Sequence, residues 1–175
     1  MFNREYYLDL FGNKQSRKEI KQPMPTPADI AITALCLWRE ARVQGHDGMQ
    51  AVCFVIRNRA IKRVSSAYRE VTKPLQFSSM TDTRDRQLAL YPVSLDMQWG
   101  SAQAIAESIL NGFGGPDPTQ GATLYYNPDA IEKGKTIKLK DGSEVAFPKT
   151  WNPDAVEETI TVGTRPQQHI FFIEK

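Results

Sequence analysis

Few side chains in this sequence join a reactive or hydrogen-bonding head to a setting that can use it. Glu40, within Arg39-Glu40-Ala41-Arg42, either pairs with an arginine on a helix surface or stands as an acid at the edge of a cleft. Asp117, in a turn rich in glycine and proline, either shapes that turn or supplies a second carboxylate. Thr119, Tyr125 and Tyr126 carry the hydroxyls and rings that suit a polyhydroxylated ligand, and strand alternation turns only one of the two tyrosines inward. Gln76 and Phe77 read equally as a polar hook with an apolar wall or as a solvated amide beside a buried ring. Asn58 is divided in the same way between a helix-end role and a ligand contact, whereas Arg59 is expected to be structural, as a helix-end residue or a salt-bridge partner in the core. His169 opens a strand and is expected to order the core or the cleft wall rather than act as a base. With two histidines, His46 and His169, and no HExxH or CxxC pair, no metal site is expected. Cys36 and Cys53 fall inside apolar helical patterns and read as buried free thiols.

These residues need elements to hold them. Thr26, Pro27 and Asp29 form a helix start resembling a capping box, which predicts a helix from Pro27 to Arg42. Its stripe of Ile30, Ala34, Leu37, Trp38 and Ala41 faces a core, leaves Glu40 at the stripe's edge and points Arg39 the opposite way. Asp47 is expected to cap a second helix with Gln50 three residues on, and apolar residues on nearly every side make that helix central and buried. Residues 65–92 show no sustained period and are expected to be irregular. Asp96 to Asn111 is a third helix, ending at Asn111-Gly112. Strands follow at Ala122 to Tyr126, Thr159 to Val162 and His169 to Ile173, with a hairpin turning at Asp141-Gly142. The predicted class is α+β, N-terminal helices followed by a small antiparallel sheet.

The chain has 175 residues, 41% hydrophobic and 24% charged, enough for one globular unit with a core. The expected organisation is a polar leader over 1–26 and a single catalytic domain over 27–175. With 22 basic and 20 acidic residues the net charge is +2, which gives no field for a nucleic-acid partner. The apolar run from Ile30 to Trp38 is too short to span a bilayer and is broken by Thr33, so no stable membrane association is expected. Met1 to Gln22 is studded with charge and lacks the apolar core of a signal peptide, which predicts synthesis in the cytoplasm.

Several blocks occur in order: Arg39-Glu40-Ala41-Arg42, Gln50-Ala51-Val52 through Asn58-Arg59, Gln76-Phe77-Ser78, Asp117 to Ala122 with Tyr125-Tyr126-Asn127-Pro128, and His169 to Phe172. Together they resemble the SleB-type cell wall hydrolases, the spore cortex-lytic enzymes, over roughly Ala28 to Ile173. The resemblance implies a lysozyme-like domain related to lytic transglycosylases, with peptidoglycan glycan strands as substrate, no cofactor, and Glu40 as the catalytic acid. The family's block usually continues Gly-Glu, whereas Val43-Gln44 stand here, so a possible second acid is missing. Residues 133–149 look like an inserted hairpin relative to that family, peripheral to catalysis, with Lys133, Lys135, Lys138, Lys140 and Lys149 placed to touch anionic wall polymers.

Cleaving a glycosidic bond needs an acid for the leaving oxygen and stabilisation of an oxocarbenium-like transition state. A lytic transglycosylase lets the substrate's own 6-hydroxyl capture C1, which leaves an anhydro end and needs no second carboxylate. A general acid must keep its proton until it acts. Partial burial beside Leu37 and Trp38 works that way for Glu40, and a nearby Arg42 or Arg59 works against it. The competing readings are a zinc amidase acting between glycan and stem peptide, and a non-catalytic wall-binding module. A wall-cleaving enzyme made without a signal peptide is expected to be a phage or prophage lysin that depends on a holin for release and then acts on the wall.

Overall fold

The computed structural model describes residues 6–8, 14–16, 24–131, 135–163 and 167–175. Within the polar leader, β1 (Tyr6–Leu8) and β2 (Lys14–Ser16) pair antiparallel. Helix α1 (Pro27–Ala41) begins on a complete capping box: Asp29 N donates to Thr26 Oγ1, and Asp29 Oδ2 accepts from Thr26 N at 2.9 Å. Asp29 Oδ1 also accepts from Tyr68 N at 2.8 Å, so the cap of one helix anchors the start of another.

A 3₁₀ turn over Arg42–Gln44 leads straight into α2 (Gly45–Lys62). Gly45 makes this possible with φ +69°, a conformation that glycine adopts without strain. Asp47 therefore falls in the first turn instead of at the cap expected of it, where its charge still suits the positive end of the helix. Helix α2 is buried along Met49 and from Ala51 to Ile56, as an all-round apolar helix must be.

Residues 65–92 are not irregular throughout. They form α3 (Ala67–Thr72), α4 (Ser78–Thr81) and a 3₁₀ turn at Arg86–Ala89. These elements are too short to show a hydrophobic period, and two of them start on local caps, α3 on Ser66 accepting from Arg69 N and the 3₁₀ turn on Asp85 accepting from Gln87 N. The segment folds over Arg39, which is only 5% exposed although the helical period turns it away from the main stripe. Helix α5 (Met97–Leu110) is capped by Asp96, whose other oxygen accepts from Trp38 Nε1 at 2.7 Å and ties α5 to α1.

The C-terminal half is strands. β3 (Leu124–Tyr126), β6 (Val156–Val162) and β7 (His169–Glu174) make an antiparallel sheet in the order β3-β7-β6. β4 (Thr136–Lys138) and β5 (Glu144–Ala146) form the hairpin, closing on Gly142 at φ +85°. Alternation gives the sheet two different faces. Tyr125 and Phe171 pack into the helical core with Leu37, Val52, Phe54 and Phe77, while Tyr126, Ile170 and Phe172 join Leu139, Val145 and Phe147 in a second core.

The hairpin is therefore built into the fold. Its apolar residues wall one side of the second core, where Phe147 meets Tyr126, Trp151 and Phe172 edge-on at ring separations of 5.9 Å. Of its lysines, Lys133 lies outside the described residues. Phe147→Ala should cost roughly 3–5 kcal/mol in urea unfolding, the penalty of truncating a core aromatic. A cost under about 1 kcal/mol would show the hairpin to be a surface appendage after all.

Candidate active site

Three segments wall a small cleft of about 200 Å³. The end of α1 and the turn after it supply Arg39, Glu40, Arg42 and Gln44; the α4 region supplies Ser78, Ser79, Asp85 and Gln87; the sheet side supplies Asn127, Gln167 and His169. Glu40 is the last but one residue of α1, half-buried where the helix meets the sheet. Tyr125, from β3, donates its hydroxyl to Glu40 Oε2 at 2.8 Å. Glu40 Oε1 is shielded from solvent and has no hydrogen-bond partner among the described residues.

Tyr125 is fixed from several sides. Phe171 stacks on it at 5.5 Å, His169 lies 4.9 Å away at a tilt of 48°, and Phe77 approaches at 6.3 Å. Burial and the neighbouring Glu40 carboxylate push its phenol far above the usual tyrosine range, so it remains a neutral donor. Burial pushes the His169 imidazole down to about 4, which leaves it uncharged near neutral pH. Gln44 Nε2 lies 3.3 Å from His169 Nε2 and donates to Gln167 O at 2.6 Å, closing the rim of the cleft.

Neither arginine of the α1 end pairs with Glu40. Arg39 donates to Leu90 O at 3.1 Å and Ser79 O at 3.0 Å, with its guanidinium 5.0 Å from the Tyr91 ring. Arg42 lies over Trp38 at 4.2 Å, donates to Trp38 O, and reaches Gln87 Oε1 at 2.8 Å. Arg59 makes no salt bridge among the described residues. It donates to Thr123 O and lies 5.0 Å over Phe77. Asp85 is held by Ser78 Oγ at 2.5 Å and Gln87 N at 2.8 Å.

The residues singled out from sequence do not all come together. Glu40 and His169 line the cleft, and Tyr125 reaches Glu40 from behind it. Tyr126 faces the second core and donates to Ala146 O at 3.0 Å. Asp117, Thr119 and Asn58 form a separate cluster: Asp117 accepts from Thr119 N, Thr119 Oγ1, Gly121 N and Asn58 Nδ2 at 2.7–2.9 Å, and Thr119 is fully buried. Both Asp117 oxygens are thus committed to the turn. Phe77 is buried under Arg59 and Tyr125, and Gln76 turns to Arg63 at 3.4 Å. The cleft residues that the sequence reading passed over are Gln44, Ser79, Asp85, Gln87 and Gln167. Ser79 adjoins the Gln76-Phe77-Ser78 block and Gln44 follows the Glu40 block; Asp85, Gln87 and Gln167 stand in stretches with no local signal.

Seven side-chain polar atoms among the described residues are buried without a partner, and five belong to cleft residues: Arg39 Nη2, Glu40 Oε1, Gln44 Oε1, Ser79 Oγ and His169 Nδ1. Unpaired buried polar groups are costly, and five of these seven lie in the cleft wall. No three His, Cys, Asp or Glu side chains converge as a metal site among the described residues.

Two outcomes check this geometry. His169 has a lower pKa folded than unfolded, so the unfolded chain binds more protons between pH 6.5 and 4. Stability should be fully present above pH 6.5 and fall as pH drops towards 4, by about 3 kcal/mol at 1.36 kcal/mol per pH unit. His169→Phe should flatten that part of a urea-stability profile, and histidine NMR should find the wild-type ring titrating near 4. Asp117→Asn should lower stability by roughly 1–3 kcal/mol through the lost turn bonds, with turnover of the folded fraction unchanged.

A family model described as Cell Wall Hydrolase matches residues 43–172, beginning just after Glu40. The chain is 29% identical to a spore cortex-lytic enzyme of Halalkalibacterium halodurans over 108 residues, 61% of this chain and 29% of that protein. It is 28% identical to a spore cortex-lytic enzyme of Bacillus subtilis over 103 residues, 58% of this chain and 30% of that protein. The match thus spans less than a third of each relative's length. No solved structure matches the chain. With the family match running through both sheet faces and most of the cleft wall, the chain belongs to the cell wall hydrolase family.

Proposed function

We propose that this chain cleaves the glycan strands of bacterial peptidoglycan, with Glu40 as general acid in a lysozyme-like, lytic transglycosylase type of reaction. The observation that carries this reading is the Glu40 carboxyl itself, lining a cleft with one oxygen fixed by Tyr125 at 2.8 Å and the other unpartnered. A hydrogen bond to Oε2 sets the plane of the carboxyl and leaves Oε1 to carry the exchanging proton. Family membership and the two cortex-lytic relatives support the substrate class.

In this reaction Glu40 gives its proton to the bridging oxygen of the scissile bond as the C1–O bond breaks, the electron pair leaving with that oxygen. The muramic 6-hydroxyl then attacks C1, and its proton passes to the Glu40 carboxylate. The acid is regenerated, no water is consumed, and the new end is a 1,6-anhydro sugar. His169, uncharged, packs at a tilt against Tyr125 and keeps the donor aimed without competing for the proton.

Glu40→Gln should keep the fold and lose roughly 10²–10⁴-fold or more in clearing of purified peptidoglycan, since an amide cannot release the proton. Mass spectrometry of wild-type products should find muropeptides one water lighter than hydrolytic ones. An active Glu40→Gln protein, or new peptide amino ends with intact glycan strands, would sink the reading. Tyr125→Phe should reduce turnover less than Glu40→Gln does, because the acid survives and only its aim is lost.

A further inference from the structure

Of the residues that wall the cleft, two are acidic, Glu40 and Asp85. Resting on the proposed reaction, Glu40 must be neutral when the bond begins to break. His169 is neutral as well, and the remaining charged groups are the guanidiniums of Arg39 and Arg42. Positive charge developing on a sugar in that setting is opposed by two cations, and a single carboxylate is present to offset them. Asp85 is held rigidly for such a task. Its Oδ2 receives the Ser78 hydroxyl and its Oδ1 the Gln87 amide, and no ion pair among the described residues neutralises it.

We infer that Asp85 is the second carboxylate of the site, the anion that stabilises the oxocarbenium-like charge on the glycan while Glu40 protonates the leaving oxygen. Asp85 exchanges no proton in the step. The C1–O electron pair leaves with the oxygen that takes the Glu40 proton, and C1 and the ring oxygen share the positive charge beside Asp85. Attack by the 6-hydroxyl quenches that charge and returns a proton to Glu40. Asp117, the other candidate for this task, is consumed by its own turn and by Asn58.

Asp85 also caps the 3₁₀ turn at Arg86–Ala89, so the test must separate charge from folding. Asp85→Asn does so. The amide oxygen can still accept from Gln87 N, its NH₂ can donate to Ser78 Oγ, and asparagine is as good a cap as aspartate. On soluble glycan-strand fragments, kcat of Asp85→Asn should fall roughly 10²-fold, comparable to removing one preorganised electrostatic group, with KM and thermal midpoint near wild type. In Asp85→Ala, added formate should restore part of the lost turnover by refilling the gap with a negative charge, whereas neutral formamide should not. If Asp85→Asn lowers the thermal midpoint, the formate response of Asp85→Ala decides the matter. Wild-type kcat in Asp85→Asn, or no formate response in folded Asp85→Ala, overturns the inference. Glu40→Gln run in the same assay separates the two ideas. An inactive Glu40→Gln with a fully active Asp85→Asn removes only the role of Asp85, whereas an active Glu40→Gln removes the underlying reaction.

Discussion

Tyr125 and Glu40 are 85 positions apart, and the 2.8 Å hydrogen bond between them joins the helical half of the molecule to the sheet at the point where the cleft opens. An intramolecular hydrogen bond contributes about 0.5–1.5 kcal/mol net, so this contact matters less for global stability than for the orientation of the Glu40 carboxyl. It requires Tyr125 to stay protonated, and the burial that keeps it so comes from Phe171, His169 and Phe77, residues of two further elements. Glu40, its hydrogen-bond donor and the packing behind that donor form one dependent chain, and displacing β3 by a residue would turn Tyr126 to Glu40's side with its hydroxyl in the wrong place.

Register on β3 is in turn held by the second core. Tyr126 stacks on Phe172 at 5.6 Å and meets Trp151 edge-on at 5.5 Å, which fixes which tyrosine faces which way. The β4–β5 hairpin closes that core from outside through Val145 and Phe147. A hairpin distant from the cleft therefore bears on the cleft through one strand, because successive residues of a strand serve opposite faces.

The buried arginines Arg39 and Arg59 are held by carbonyls rather than by counter-ions. Arg39 and Arg59 are each about nineteen-twentieths buried, and both donate to backbone oxygens, Arg39 also to Met80 Sδ, and lie against an aromatic ring, Tyr91 and Phe77. Burial lowers the Arg59 guanidinium below its ordinary range without neutralising it, given how far above physiological pH arginine titrates. Glu40 and Asp85, the carboxylates of the cleft wall, make no ion pair among the described residues, as the proposed reaction requires.

Elements with their own signal were legible in the sequence. The Thr26-Asp29 cap, the α1 stripe, the all-apolar α2, the Asp96 cap of α5 and the Asp141-Gly142 hairpin follow from local rules of hydrogen bonding and periodicity, and each stands within a few residues of where those rules put it. Glu40's place at the edge of the α1 stripe follows from the 100° advance per residue alone. The choice between Tyr125 and Tyr126 did not, because alternation says that one faces in and only the strand's two packing partners say which. Arg39 was legible as pointing away from the main core but not as buried, since the short α4 region that covers it has too few residues for a period. Asp85 and Gln167 carry no local pattern at all. They join the cleft because chain segments far apart in sequence pack side by side, and that proximity is set by the whole core, not by the residues that benefit from it.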